Sequence, residues 1–176
     1  MLYEKLHDLL LLYEERPVTV EATAPLATPI QLTGLTIPAL ERGEEVDLPL
    51  WVAILLSRFG VVRFKEDPFI SQNQIFKVRT RERFGAPLSS LEPDFHTRLA
   101  VALRYHELSA LSDQRLRRIA KQIIMSFRLQ KICHSITLPI DEEQLSAMEA
   151  ELVKQLRDTV ASWHKFWDEM FQVGEQ

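Results

Sequence analysis

Apolar positions along this chain repeat in two rhythms, and the change from one to the other divides it. Leu2, Leu6, Leu9, Leu10 and Tyr13 recur every three or four residues and predict a short helix. Pro17 ends that rhythm, and Val18-Thr19-Val20-Glu21-Ala22-Thr23 alternates as a strand. A loop punctuated by Pro25, Pro29 and Gly34 surrounds Ile30-Gln31-Leu32. Leu35-Thr36-Ile37 reads as a second strand closed by Pro38, and Arg42-Gly43 marks a turn before Glu45-Val46-Asp47. Pro49 suits the first turn of a helix, where its missing N–H costs nothing. Trp51, Ile54, Leu55 and Phe59 follow at helical spacing. Gly60 ends that helix, and Val61-Val62-Arg63-Phe64 is a last strand.

From Pro68 onward the rhythm is helical, and no proline occurs between Asp94 and Leu138. Ser71-x-x-Gln74 has the form of a capping box, in which serine and glutamine satisfy orphan N–H groups at a helix start. That helix runs to about Phe84, although Lys77-Val78-Arg79-Thr80-Arg81 also alternates. Asp94 is an N-cap for a helix to about Ala110, with Phe95, Leu99, Val101, Leu103, Tyr105 and Leu108 spread nearly all round it. Ser112 or Asp113 opens a third helix to about His134, which Pro139 breaks. Asp141-x-x-Gln144 resembles a second capping box. The last helix reaches about Phe171, with Leu145, Met148, Leu152, Leu156, Val160, Trp163 and Phe166 at 3.6-residue spacing. The expectation is an α+β protein: a small β-rich N-terminal domain, residues 1–67, then an all-α helical bundle, residues 68–176.

Composition adds bounds. Apolar residues are 46% and charged residues 26% of the 176, enough to build a core. No window approaches the ~18 unbroken apolar residues of a membrane span, and the N-terminus lacks the basic start and cleavage site of a signal peptide. The single Cys133 excludes an internal disulfide and points to a reducing compartment. These features describe a soluble, intracellular protein. The net charge of −4 conceals segregation: residues 68–134 carry 12 basic and 5 acidic side chains, whereas residues 135–176 carry 3 and 9. Such a pattern serves pairing within or between subunits, or steers a charged partner.

Two clusters are candidates for binding. Arg117, Lys121, Arg128 and Lys131 fall within about 80° of one another at 100° per residue, a basic ridge for phosphates or acidic side chains, or simply a solvated face. Trp163, Phe166, Trp167, Met170 and Phe171 wrap more than one face of the last helix, which suits either a core or a contact with another subunit. Enzymatic motifs fail. His106-Glu107 begins a zincin motif, but position 110 is alanine. Cys133-His134 has no second cysteine to complete a zinc site, and five glycines form neither a P-loop nor a dinucleotide fingerprint. The sequence implies no catalytic residue, no metal and no cofactor.

Glu15-Arg16-Pro17-Val18-Thr19-Val20, then Val46-Asp47-Leu48-Pro49-Leu50-Trp51-Val52-Ala53, then Val61-Val62-Arg63-Phe64 ahead of a helical bundle, resembles a subunit of GINS, the replication complex that works with the MCM helicase. The likeness is most specific over residues 15–66; beyond residue 70 it rests on helix order and length. GINS subunits combine a helical A domain with a small β-rich B domain, and this chain resembles the B-then-A class. The lack of the insertions and tails of eukaryotic subunits points to an archaeal source, hence a cytoplasmic, nucleoid-associated replisome; a eukaryotic counterpart would be nuclear. The resemblance implies a non-enzymatic scaffold that assembles with a paralogue of opposite domain order, as a 2:2 heterotetramer. It would link MCM to a RecJ-like cofactor protein, with no membrane partner and direct DNA contact left open. The competing expectation is a nucleic-acid-binding adaptor built on the basic helix 112–134.

Overall fold

The computed structural model of the chain describes residues 2–32, 34–84, 88–136 and 142–173. It is mixed α+β, with small sheets in the N-terminal half and helices in the C-terminal half. In chain order the elements are α1 (Leu2–Glu14), β1 (Pro17–Ala22), β2 (Ile30–Leu32), β3 (Leu35–Ile37), β4 (Glu45–Pro49), α2 (Leu50–Arg58), β5 (Val62–Phe64), α3 (Gln72–Phe84) and α4 (Phe95–Arg104). There follow α5 (Gln114–Gln122), a π-helical stretch Ile123–Arg128, α6 (Leu129–Ser135) and α7 (Ala147–Val173). Two compact units interleave along the chain. One comprises residues 8–70 and 97–112, and the other residues 1–7, 71–96 and 113–176.

In the β-bearing unit, β1 is the centre of a three-stranded antiparallel sheet of order β4-β1-β5. Pro17 pairs with Pro49, Val20 with Val46 on one side and Phe64 on the other, and Ala22 with Val62. Alternation aims Val20 and Ala22 inward, where they join Ile37, Leu40, Leu48, Val52, Ala53, Leu56 and Val62 in one apolar core. Outward positions carry cross-strand polar pairs: Thr19 Oγ1 donates to Asp47 Oδ1 at 2.6 Å, and Arg63 holds Glu21 at 2.9 Å.

The β4–α2 junction is tighter than the sequence predicts. Pro49 is the last residue of edge strand β4 and the N-cap of α2, at φ −53° and ψ 140°, so Leu50 rather than Pro49 opens the first turn. An edge strand tolerates its missing N–H. Leu50 N–H donates to Arg16 O at 2.9 Å, carrying the strand pairing one residue into the helix. Trp51 packs against the core but stays half-buried, while Leu50, Val52 and Ala53 are fully buried. At the other end Gly60, at φ 67°, closes a Schellman cap: Val61 N–H reaches Leu56 O and Gly60 N–H reaches Ser57 O.

Three further expectations change. Ile30–Leu32 is a strand, paired antiparallel with β3. The helix from residue 95 stops at Arg104 and gives way to two short 3₁₀ turns, His106–Leu108 and Ala110–Ser112. The helix after Asp113, which caps it by accepting from Arg115 N–H at 2.7 Å, is interrupted by the π-helical stretch.

In the helical unit, Ser71 and Gln74 form the expected capping box: Ser71 N–H donates to Gln74 Oε1 at 3.0 Å, and Gln74 N–H to Ser71 Oγ at 3.2 Å. Helix α3 packs on α5 and on the π-helical stretch, with Ile75, Val78 and Glu82 on its buried side. The expected box at Asp141 lies outside the described residues. The start of α7 is capped instead by Ser146 and Glu149: Ser146 N–H donates to Glu149 Oε2 at 3.0 Å, and Glu149 N–H to Ser146 Oγ at 3.3 Å.

Candidate functional site

The most elaborate polar arrangement of the helical unit surrounds Arg128, whose side chain is 1% exposed. A guanidinium has five N–H donors, and all five find acceptors. Nε donates to Glu149 Oε1 at 2.5 Å and Nη2 to Glu149 Oε2 at 2.8 Å. Nη1 donates to Glu82 Oε1 at 2.5 Å and Ser89 O at 2.9 Å, and Nη2 also reaches Gln144 O at 3.1 Å. Lys131 Nζ donates to Glu82 Oε2 at 2.8 Å, and Ser89 Oγ donates to Glu82 Oε1. Two cations thus meet two carboxylates, so the buried cluster is neutral. Burial opposes ionisation of Glu82, but hydrogen bonds from Lys131 and Ser89 and the charges of Arg128 and Lys131 outweigh it and hold its pKa below the usual carboxylate value.

His96 completes the cluster. Burial, helped by the Arg128 charge and against the pull of the Glu149 charge, lowers its pKa below the ordinary histidine value. Its Nδ1 lies 2.7 Å from Ser146 Oγ and its Nε2 3.8 Å from Glu149 Oε1. In the neutral tautomer that carries its proton on Nε2, facing the carboxylate, Nδ1 accepts from the Ser146 hydroxyl. With every guanidinium donor of Arg128 engaged by a protein acceptor, the arrangement ties α3, the 88–91 segment, the π-helical stretch and the start of α7 together.

This geometry corrects the expected ridge at Arg128. At 100° per residue Arg128 would lie beside Arg117 and Lys121. An i→i+5 hydrogen-bonded turn advances each residue by less, and over Ile123–Arg128 the lag amounts to roughly 100°; the Leu129 N–H indeed reaches back five residues to Ile124 O. That lag swings Arg128 onto the side of Leu116, Ala120 and Ile123, all buried. Lys131 follows, with its side chain 18% exposed. Lys121 is exposed, and Arg117 is half-buried with its Nε covered and unbonded among the described residues. The structure therefore brings Arg128 and Lys131 together in the interior and leaves Arg117 and Lys121 on α5.

The C-terminal aromatics divide differently. Trp163 is 62% and Phe166 50% exposed on α7. Trp167 and Phe171 belong to α7, but their side chains lie outside the described ones. Residues 161–166 are exposed on every face of the helix, whereas Val153 is buried with Ile132 and Leu145. Among the described side chains, α7 thus passes from a stretch with buried positions at Glu149 and Val153 to a fully exposed one at residues 161–166.

Sequence reading overlooked the Ser146–Glu149 box although its signal was present: Ser146-Ala147-Met148-Glu149 stands before an apolar helical run. Glu82 and His96 had no such signal, since their partners come from segments 46 and 50 residues away. Among the described residues no group of three or more His, Cys, Asp or Glu side chains is placed to hold a metal ion, and no helix is long and apolar enough to cross a membrane. No known protein-family model matches the chain, and no curated protein matches it.

Proposed function

We propose that this chain is a non-enzymatic scaffold subunit of a GINS-type replication complex, of the class in which the small β-rich module precedes the helices. The observation that carries this reading is the β4–Pro49–α2 junction. The residues on which the resemblance rests, Val46 to Ala53, form one built unit: an edge strand ending at Pro49, a helix starting at the fully buried Leu50, and a Schellman cap at Gly60 returning the chain into β5. The helices that follow supply a long α7 that carries the exposed Trp163 and Phe166, which fits a subunit that buries aromatic surface on assembly. The partner in this reading is a paralogue of opposite domain order, joined as a 2:2 heterotetramer in the replisome. The assembly links the MCM helicase to a RecJ-like protein and performs no chemistry of its own.

Co-expression of the chain with such a paralogue, followed by light scattering of the purified product, tests the proposal. A stable hetero-oligomer that survives moderate salt is the expected result. A chain that remains a well-behaved monomer in the paralogue's presence overturns it.

A further inference from the structure

The cations of the helical unit do not share one fate. Arg128 and Lys131 are neutralised in the interior, but Lys77, Arg79, Arg81 and Arg83 on α3 and Arg115, Arg117, Arg118 and Lys121 on α5 have no ion-pair partner among the described residues. These two helices pack together, and the only carboxylate either contains is the buried Glu82. Eight positive side chains on adjoining helices, with no exposed carboxylate on either helix, create a field that attracts a polyanion.

Helix α3 adds what α5 lacks. At 100° per residue, Asn73, Phe76, Lys77, Thr80, Arg81 and Phe84 share one outward stripe opposite buried Ile75, Val78 and Glu82. The first five line a shallow depression of ≈ 440 Å³. Phe84, 76% exposed, stands at the end of the stripe with the Arg83 guanidinium 5.2 Å from its ring centroid. On their other side Lys77 and Arg81 face a second depression of ≈ 270 Å³ that includes Glu92, so an anion is favoured on the Phe76 side. Phe76 and Phe84 are about 12 Å apart along the helix axis, a span of a few nucleotides.

We propose that the outer face of α3 binds single-stranded nucleic acid, with Lys77 and Arg81 on the phosphates and Phe76 and Phe84 stacking bases. Cations alone would serve a duplex or an acidic protein segment equally well. Interleaved aromatics select the single strand, because only unpaired bases offer a face to stack upon. The proposal stands independently of assembly with a paralogue.

Fluorescence anisotropy of labelled dT25 with the full chain, at 50 and 150 mM salt, is the test. Lys77→Ala/Arg81→Ala should weaken binding at least tenfold at 50 mM salt and lower the salt slope by about 1.4, two phosphates at ~0.7 each. Phe84→Ala should weaken binding about five- to tenfold with the slope unchanged. Exposed Lys154→Ala on α7 should leave it unaltered. Labelled rU25 assigns the sugar preference, and affinity for either strand supports the proposal. All of these positions except Phe76 are exposed, and coincident melting curves verify folding; Lys77→Gln/Arg81→Gln replaces the alanine pair if they differ. Absence of binding to both strands at 50 mM salt overturns the proposal. So does wild-type affinity in either the Lys77/Arg81 or the Phe84 variant, or equal competition by duplex DNA or polyglutamate.

Discussion

Arg128 and Glu149, 21 residues apart in the chain, meet in the interior through two parallel hydrogen bonds, Nε to Oε1 at 2.5 Å and Nη2 to Oε2 at 2.8 Å. The same carboxylate accepts the Ser146 N–H, so one side chain caps α7 and neutralises the guanidinium. This fork-on-fork geometry fixes the start of α7 against the π-helical stretch.

Removing one side of such a pair strands the other without water. Arg128→Met should destabilise the protein by about 3–5 kcal/mol, read by urea denaturation. Glu149→Leu combined with Arg128→Met should cost less than the two single changes added together, because the stranded charge disappears. A loss below about 1 kcal/mol for Arg128→Met would mean that the interior tolerates the loss of the pair.

Stability should fall on acidification in two stages. His96 has a folded pKa below its ordinary 6.5, so below that pH the unfolded chain takes up a proton that the folded chain refuses, and stability declines until the folded pKa is passed. Glu82 has a folded pKa below 4.5; its contribution is fully present above that value and is lost as pH falls through the folded pKa. Thermal melts between pH 7.5 and 3.5 measure both stages. His96→Gln should flatten the first and leave the second, and an unchanged profile would remove His96 as its source.

At the β4–α2 junction the buried residue matters more than the conspicuous one. Leu50→Ala empties a site that is 0% exposed and should cost about 2–5 kcal/mol. Trp51 is only half-buried, and its Nε1–H is covered without a bonded partner among the described residues. Trp51→Phe removes that unpaired donor and should change stability by about 1 kcal/mol or less. Denaturant midpoints of the two variants compare them directly, and a Trp51→Phe loss larger than that of Leu50→Ala contradicts this ordering.

Assembly, on the scaffold reading, should depend on α7 beyond residue 160. Trp163→Ala/Phe166→Ala alters side chains at least half exposed, so the isolated chain should melt as wild type while affinity for the paralogue drops at least ~10-fold. Analytical ultracentrifugation of the mixed proteins reads this out. Undiminished association would place the contact elsewhere on the surface.

Much of the fold was written locally. The capping box at Ser71 and Gln74, the Asp113 cap, the strand at Val18 to Ala22, and the stop at Gly60 each depend on residues a few positions apart, and such signals survive in a linear reading. The three-residue strand Ile30–Leu32 did not, because so short a run has no period of its own and becomes a strand only by pairing with Leu35–Ile37. The exposed aromatics of α7 were legible as residues but not as surface: the same helical spacing runs through buried Leu145, half-buried Leu152 and Leu156 and exposed Trp163. Composition and spacing determined the change from a strand-bearing to a helical half, the separation of charge along the chain and the apolar face of α5. Tertiary structure alone decided which cations are free to meet a partner. Six residues of π-helix shifted the phase of a continuous helix and drew Arg128 and Lys131 onto Glu82 and Glu149, carboxylates supplied by distant helices. A periodicity argument assumes a constant angle per residue, and that assumption fails where burial of a fully satisfied guanidinium stabilises a different turn.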